Sequence, residues 1–256
     1  MAVDAEVDVR YAISGDARLA FKVFAGGPHD IVWVPSWISN QDLADPERAL
    51  LFERLAWFAT AVTYDARGTG LSDPLALAAL PTLEDWSDDL HAVVTAAGLE
   101  DFVLFAQVAA GPVAVLYAAT RPERTRALIL LNSFAAITRS EDYDAGVTPE
   151  EADRLIGWVE HVWGSGRFLR ATMPDVAVDD ALLRDLARGE RQTMAPAVAA
   201  AITRWQYTVD VRAALPAISA PTLVLHTVEN RFVSIEHGRY LAQHIPNARL
   251  VELPGG

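Results

Sequence analysis

The densest group of chemically able side chains is the run Tyr64-Asp65-Ala66-Arg67-Gly68-Thr69-Gly70-Leu71-Ser72-Asp73. It places two carboxylates, a guanidinium and hydroxyls around Gly68 and Gly70, directly after the apolar stretch Ala61-Val62-Thr63. Such a charged, glycine-rich turn suits a tight loop beside a pocket. Six histidines could act as bases or ligands: His29, His91, His161, His226, His237 and His244. His226 ends an apolar run and reads as a satisfied core histidine. His237 opens a helix and reads as a surface or capping residue. No His/Asp/Glu cluster has metal-ligand spacing, and no cysteine is present, so neither a metal site nor a disulfide framework is expected. Ala25-Gly26-Gly27-Pro28 lacks the Lys-Ser/Thr and glycine spacing of a phosphate loop. No cofactor is expected.

Alternating short and long patterns must position these groups. Strands are expected at Asp30–Val34, Ala61–Asp65, Phe102–Phe105 and Ala127–Leu131, all apolar runs bounded by turn signals. Runs of that kind suit a parallel sheet covered on both faces. Thr82-Leu83-Glu84-Asp85 has the form of a capping box and opens a helix that ends near Gly98. Pro112 begins another, which stops before Arg121-Pro122. From 134 to 215 the strand signal disappears. Thr148-Pro149-Glu150-Glu151, Asp179–Arg191 and Pro196–Tyr207 read as helices, with Trp158, Trp163, Phe168 and Trp205 among them. Strands return at Pro221–His226 and Arg249–Leu253. The fold class is α/β, with a mostly parallel twisted sheet and a helical cap insertion at 134–215; residues 1–133 and 216–256 make the core.

Of the 256 residues, 52% are hydrophobic and 21% charged, enough for a large core. The formal net charge of −13 opposes nucleic-acid backbones and anionic lipid. The acidic start Met1–Arg10 has no apolar signal region, and no run is long enough to span a bilayer. A cytoplasmic location without nucleic-acid or membrane partners is the expectation.

From about Tyr11 to Gly256 the chain resembles the α/β-hydrolase superfamily. The strongest likeness is the D-x-R-G-x-G-x-S turn at Asp65–Ser72, with the Pro221–His226 strand in support. In that family the turn is mainly architectural, which implies structural roles for Asp65, Arg67, Gly68 and Gly70. Arg10-Tyr11-Ala12-Ile13-Ser14-Gly15-Asp16 and Ile235-Glu236-His237-Gly238-Arg239-Tyr240-Leu241-Ala242 resemble the hydrolase-like domains fused to bacterial class III adenylyl cyclases.

The resemblance implies a nucleophile on a strained strand-to-helix turn with small neighbours. Ala106-Gln107-Val108-Ala109-Ala110-Gly111 is that region, and the nucleophile position falls on Val108. Valine has no proton to lose and no lone pair, so it cannot attack a carbonyl. Gln107 and Ala109 are equally inert. A β-branched residue is uncomfortable at positive φ, so a relaxed turn is expected here; plain core packing is the alternative for Val108. The acid position falls on Asn230, which cannot stabilise an imidazolium as a carboxylate does. Glu229, next to it, reads as a solvated loop charge. The base is implied just past Leu253-Pro254-Gly255-Gly256, and none of the six histidines stands there.

The resemblance thus implies a degenerate catalytic triad: a pseudoenzyme with a small-molecule-binding or regulatory role, linked to nucleotide cyclase signalling. Non-hydrolytic chemistry and an esterase with relocated residues are the alternatives. A pocket under the cap, lined by Ser36, Trp37, Val108, Ala109 and Trp205, is expected to hold a small, partly apolar molecule. The fold's C-terminal helix is expected to be absent. A homodimer or an additional C-terminal segment would then cover an exposed sheet face.

Overall fold

A computed structural model describes residues 8–43, 46–172 and 179–255. The N-terminal Met1–Val7 and Gly256, both used in the sequence reading, lie outside the described residues. Eight strands form one sheet: β1 Arg10–Ser14, β2 Ala17–Phe24, β3 His29–Val34, β4 Ala59–Tyr64, β5 Phe102–Gln107, β6 Thr125–Leu131, β7 Thr222–Thr227 and β8 Ala248–Leu253. Their order is β1-β2-β4-β3-β5-β6-β7-β8. The pairs β1–β2 and β2–β4 are antiparallel, and the remaining pairs are parallel. This is the α/β-hydrolase fold.

The expected strands are present within a residue or two of their sequence limits. The β1–β2 hairpin and helix α1, Pro46–Leu55, are additions that sequence patterning did not reveal. Helices α2 Leu83–Ala96 and α3 Gly111–Thr120 follow as read. Thr82 caps α2 by accepting from the Asp85 N–H, and Asp85 returns the bond to the Thr82 N–H at 2.8 Å. Helix α8, Ile235–His244, packs on β7 and β8. Together α2, α3 and α8 lie over the sheet face bearing Leu104, Leu128, Leu130 and Val224, all fully buried. Helix α1 stands on the other face, where Phe52 stacks on Phe24 at 4.5 Å and meets Trp33 at 5.8 Å.

Between β6 and β7 the chain forms α4 Pro149–Val162, α5 Arg167–Ala171, α6 Asp180–Thr193 and α7 Pro196–Gln206. Helix α4 packs on α7, and α5 on α6. Thr148 and Glu151 make a second capping box, with Pro149 in the first turn. No helix among the described residues is long and apolar enough to cross a membrane.

Candidate functional site

The centre of the parallel sheet ends at the strand-to-helix turn after β5. Gln107 is still extended, at φ −124° and ψ 146°. Val108 then turns to φ +50°, and a short 3₁₀ turn over 108–110 leads into α3. The expected relaxation has therefore not occurred: the turn keeps its left-handed residue although that residue is β-branched. Such a backbone costs on the order of 1–3 kcal/mol and persists only where its surroundings impose it. Two contacts help impose it. The Ser133 hydroxyl donates to the Val108 carbonyl at 2.9 Å. Gly111 admits that serine, since a Cβ there would lie 1.6 Å from Ser133 Oγ.

The Val108 side chain is half-buried. With Ala109 and Tyr207 it packs against a small buried cluster of Phe134, Ile137 and Val233. Val108 is thus a half-buried apolar residue on a left-handed turn. Phe134 and Ile137 come from the exit of β6, and Val233 from the loop after β7.

Asp65 and Arg67 are both bonded within and around their own turn. Asp65 is fully buried and accepts from the Gln41 N–H at 3.0 Å, Gln41 Nε2 at 3.1 Å and the Leu71 N–H at 2.9 Å. Burial pushes its carboxyl above the usual range, and those donors oppose the rise. Arg67 forks onto buried Asp89 at 3.1 and 2.6 Å and reaches Asp16 and the Ser14 carbonyl at 3.3 Å. The turn is thereby tied to α2 and to β1. Gly70 is required where it stands: its φ is +51°, and a Cβ would fall 2.2 Å from Asp65 Oδ2. Gly68 is left-handed too, at φ +83°.

In the loop after β7, Asn230 Oδ1 accepts from the N–H groups of Phe232 and Val233, at 2.9 and 2.8 Å. It organises its own loop. The Val233 carbonyl in turn accepts from His226 Nε2 at 2.8 Å. A carbonyl can only accept, so the His226 proton sits on Nε2. Nδ1 is left as an unpartnered buried lone pair, so His226 is only half satisfied, against the expectation.

His237 overturns the surface reading more fully, being only 1% exposed. Its Nδ1 lies 2.6 Å from the Tyr143 hydroxyl, and its ring 5.9 Å from Phe134. Sequence patterning saw only an early helical position; the residue that buries it lies 94 positions away. Burial, reinforced by neighbouring His226, pushes the His237 imidazole down to about 4. Burial lowers His226 as well, against its bond to Val233. An unfolded histidine titrates near about 6.5. As pH falls from there towards 4, the unfolded chain binds more protons than the folded one, so stability drops. The loss from His237 should be on the order of 3 kcal/mol by about pH 4. The urea midpoint should fall between pH 7 and pH 5, and fall less in His237→Gln. An equal fall in both proteins would refute this assignment.

The aromatic residues expected to line the pocket contact other rings. Trp37 is 9% exposed, stacks on Trp163 at 5.4 Å and meets the tilted ring of Phe168 at 5.2 Å. Trp205 sits 5.5 Å from Trp86 of α2. Ser36 is half-buried in the loop after β3. Val108 and Ala109 share one cluster, while Trp37 and Trp205 each stack elsewhere. Clefts of about 250 and 410 Å³ lie between α8 and residues 142–145 and along α6, respectively. Neither is lined by the five expected residues. No group of three potential metal ligands occurs among the described residues.

Residues 51–256 match the serine aminopeptidase S33 family. The chain is 25% identical over 174 residues to strigolactone esterase D14 of Arabidopsis thaliana, covering 67% of this chain and 64% of that protein. It is 30% identical over 151 residues to the pimeloyl-[acyl-carrier protein] methyl ester esterase of Neisseria meningitidis serogroup C, covering 55% and 56%. The chain therefore spans less than two thirds of the length of either relative. Among solved structures, the esterase EaEST from Exiguobacterium antarcticum has a TM-score of 0.80 at 19% identity, covering 94% of this chain and 89% of that one. That likeness is one of fold. With the family match, the eight-stranded sheet and the left-handed turn after β5 in agreement, this chain belongs to the serine aminopeptidase S33 family of the α/β-hydrolase superfamily.

Proposed function

We propose that this chain is an α/β-hydrolase-fold domain with a degenerate triad, a binding or regulatory domain rather than a serine hydrolase. One observation carries the reading: the residue at φ +50° after β5 is Val108. The backbone geometry that presents a nucleophile is kept, and the side chain it presents cannot attack. Asn230 adds support, since its side-chain oxygen is engaged by its own loop. The Arg10–Asp16 and Ile235–Ala242 resemblances support a cytoplasmic setting beside a class III nucleotide cyclase. A small, partly apolar molecule is the proposed ligand under α4–α7. The Trp37, Trp163 and Phe168 rings, in mutual contact, would form one wall of that site.

The named relatives support a second reading, ester hydrolysis by relocated groups. That reading needs a nucleophile other than Val108. Ser133, bonded to the elbow carbonyl, is fully buried and already donates its proton. A fluorophosphonate probe separates the two readings. Beside an active serine esterase as control, this chain should stay unlabelled. Stoichiometric labelling of any serine, with parallel loss of ester turnover, would establish the hydrolase reading instead.

A further inference from the structure

The helices between β6 and β7 leave and rejoin the core through two segments that are bonded to each other. The Val211 N–H donates to the Ala135 carbonyl at 2.9 Å, and Ala136 forms an antiparallel bridge with Asp210. The Thr138 hydroxyl donates to the Tyr207 carbonyl at 2.7 Å. The outgoing segment also folds on itself, with the Arg139 N–H on the Val147 carbonyl at 2.8 Å and the Val147 N–H on the Ile137 carbonyl at 2.9 Å. Arg212 ties the two segments together. It pairs with Asp210 at 2.7 Å and Asp142 at 2.8 Å, and stands over the Tyr143 ring at 5.1 Å. Residues 134–147 and 207–212 are thus the stem of the cap.

The stem meets α8 at a buried polar contact, the Tyr143 hydroxyl on His237 Nδ1 at 2.6 Å. The Ala136 backbone bonds the same hydroxyl. A neutral His237 can accept the Tyr143 proton, and a protonated one can only donate. Behind His237 lies His226 of β7, wholly buried, with Nε2 on the Val233 carbonyl and Nδ1 unpartnered. A Cβ at Gly238 would fall 2.7 Å from that Nδ1, so α8 and β7 touch here. No carboxylate among the described residues bonds either ring. The nearby charges are engaged with one another: Arg212 with Asp142 and Asp210 on the stem, and Arg239 with Glu236 on α8 and Glu252 on β8. His244 stacks on Tyr240 further along α8. Arg139, Glu141 and Asp144 on the stem, and Glu229 and Arg231 after β7, are exposed. A proton added to this pair of rings therefore meets no counter-charge in the seam, and a buried charge without a partner is costly.

We propose that Tyr143 and the His226–His237 pair are an acid-released clasp, which holds the cap stem on α8 while both imidazoles are neutral and lets the stem part from α8 when they take up a proton. Parting relieves the cost by bringing water to the charge. The cleft between α8 and residues 142–145, lined by Tyr143 and Tyr240, already admits solvent along this seam, so opening widens it and leaves the sheet intact. Phe134, 5.9 Å from His237, belongs to the cluster on which Val108, Ala109 and Tyr207 pack. Release of the clasp therefore loosens the cap beside the elbow. The sign follows from the closed state: burial holds His237 down at about 4, and the opened ring returns to about 6.5. Opening should be about 20-fold more favourable at pH 5 than at pH 7. The clasp acts in the same way whatever chemistry position 108 serves.

Native-state hydrogen exchange of the 256-residue chain, corrected for the intrinsic pH dependence of exchange, tests the clasp. The stem amides of Arg139, Val147 and Val211 should lose about 20-fold in protection between pH 7 and pH 5. They should do so through an opening that low urea scarcely affects, because little surface is exposed, while Leu104 and Leu128 exchange through urea-sensitive global unfolding. His237→Gln can still bond Tyr143 and cannot titrate, so it should remove most of the pH dependence at the stem. Tyr143→Phe keeps the ring and loses the bond, so it should quicken stem exchange already at pH 7. If His237→Gln does not fold, the imidazole resonances of the wild type decide: the His237 ring should titrate with the same midpoint as stem exchange, and a ring that titrates independently of the stem overturns the proposal. So would stem protection unchanged between pH 7 and pH 5, stem amides that open only together with the sheet, or the same pH dependence in His237→Gln.

Discussion

On short p-nitrophenyl esters the purified chain should turn over about 10⁶-fold more slowly than an esterase with a complete triad. Nucleophilic catalysis replaces one difficult step by two easier ones, and it needs an atom that can bond the acyl carbon. Val108, on the left-handed turn after β5, offers only methyl groups. In subtilisin, removing the serine alone costs about as much as removing the whole triad, because the other members act through it. At 1.36 kcal/mol per decade this is a difference of about 8 kcal/mol in barrier height. What remains in such variants, about 10³–10⁴ over water, comes from backbone donors and binding. Initial rates on p-nitrophenyl acetate, against a complete esterase of this fold, provide the measurement. Saturable turnover that survives repurification and is untouched by Val108→Ala would place catalysis elsewhere and favour the esterase reading.

Glu190→Ala should destabilise the chain by about 3 kcal/mol or more, with loss beginning in the helices between β6 and β7. Glu190 is fully buried, and backbone N–H groups hold its side chain. Its carboxylate accepts from the N–H groups of Gly164 at 2.7 Å, Gly166 at 2.8 Å and Leu169 at 3.0 Å. It therefore fixes the turn between α4 and α5, where Gly164 and Gly166 are both left-handed. Trp163, immediately before this turn, donates its indole N–H to the Met194 carbonyl at 2.9 Å and stacks on Trp37. Alanine would leave three amide donors unpaired, at about 1–3 kcal/mol for each buried one. Glu190→Gln keeps one acceptor oxygen and should lose less. Thermal unfolding should show a fall of roughly 10 °C for the alanine variant. Hydrogen exchange at 164–169 should quicken first. A Glu190→Ala protein within about 0.5 kcal/mol of wild type would show that solvent satisfies this turn.

The local grammar of the chain was legible from residue order. Thr82 and Asp85 announce the start of α2, and Thr148-Pro149 the start of α4, because capping is a transaction among neighbours. The parallel strands declare themselves as short apolar runs, since a strand buried on both faces needs no alternation. The elbow was legible for the same reason: Ala106 and Ala110 flank Val108 in the spacing a tight strand-to-helix turn demands. Helix α1 and the β1–β2 hairpin were not, because their patterns are weak until Phe52 meets Trp33 and Phe24 and β2 finds β4.

Residue order by itself determined the fold class and the chemical poverty of position 108, since periodicity, capping and side-chain composition are properties of adjacent residues. Tertiary structure decided whether the elbow stayed strained, and it did, held by Ser133 and the gap at Gly111. It decided that His237 is buried on Tyr143, that Glu190 holds three amides, and that Trp37 meets Trp163 while Trp205 meets Trp86. Each of these outcomes turns on partners dozens of residues apart, and a side chain's burial and proton affinity follow from what the folded chain packs against it, which no local pattern encodes.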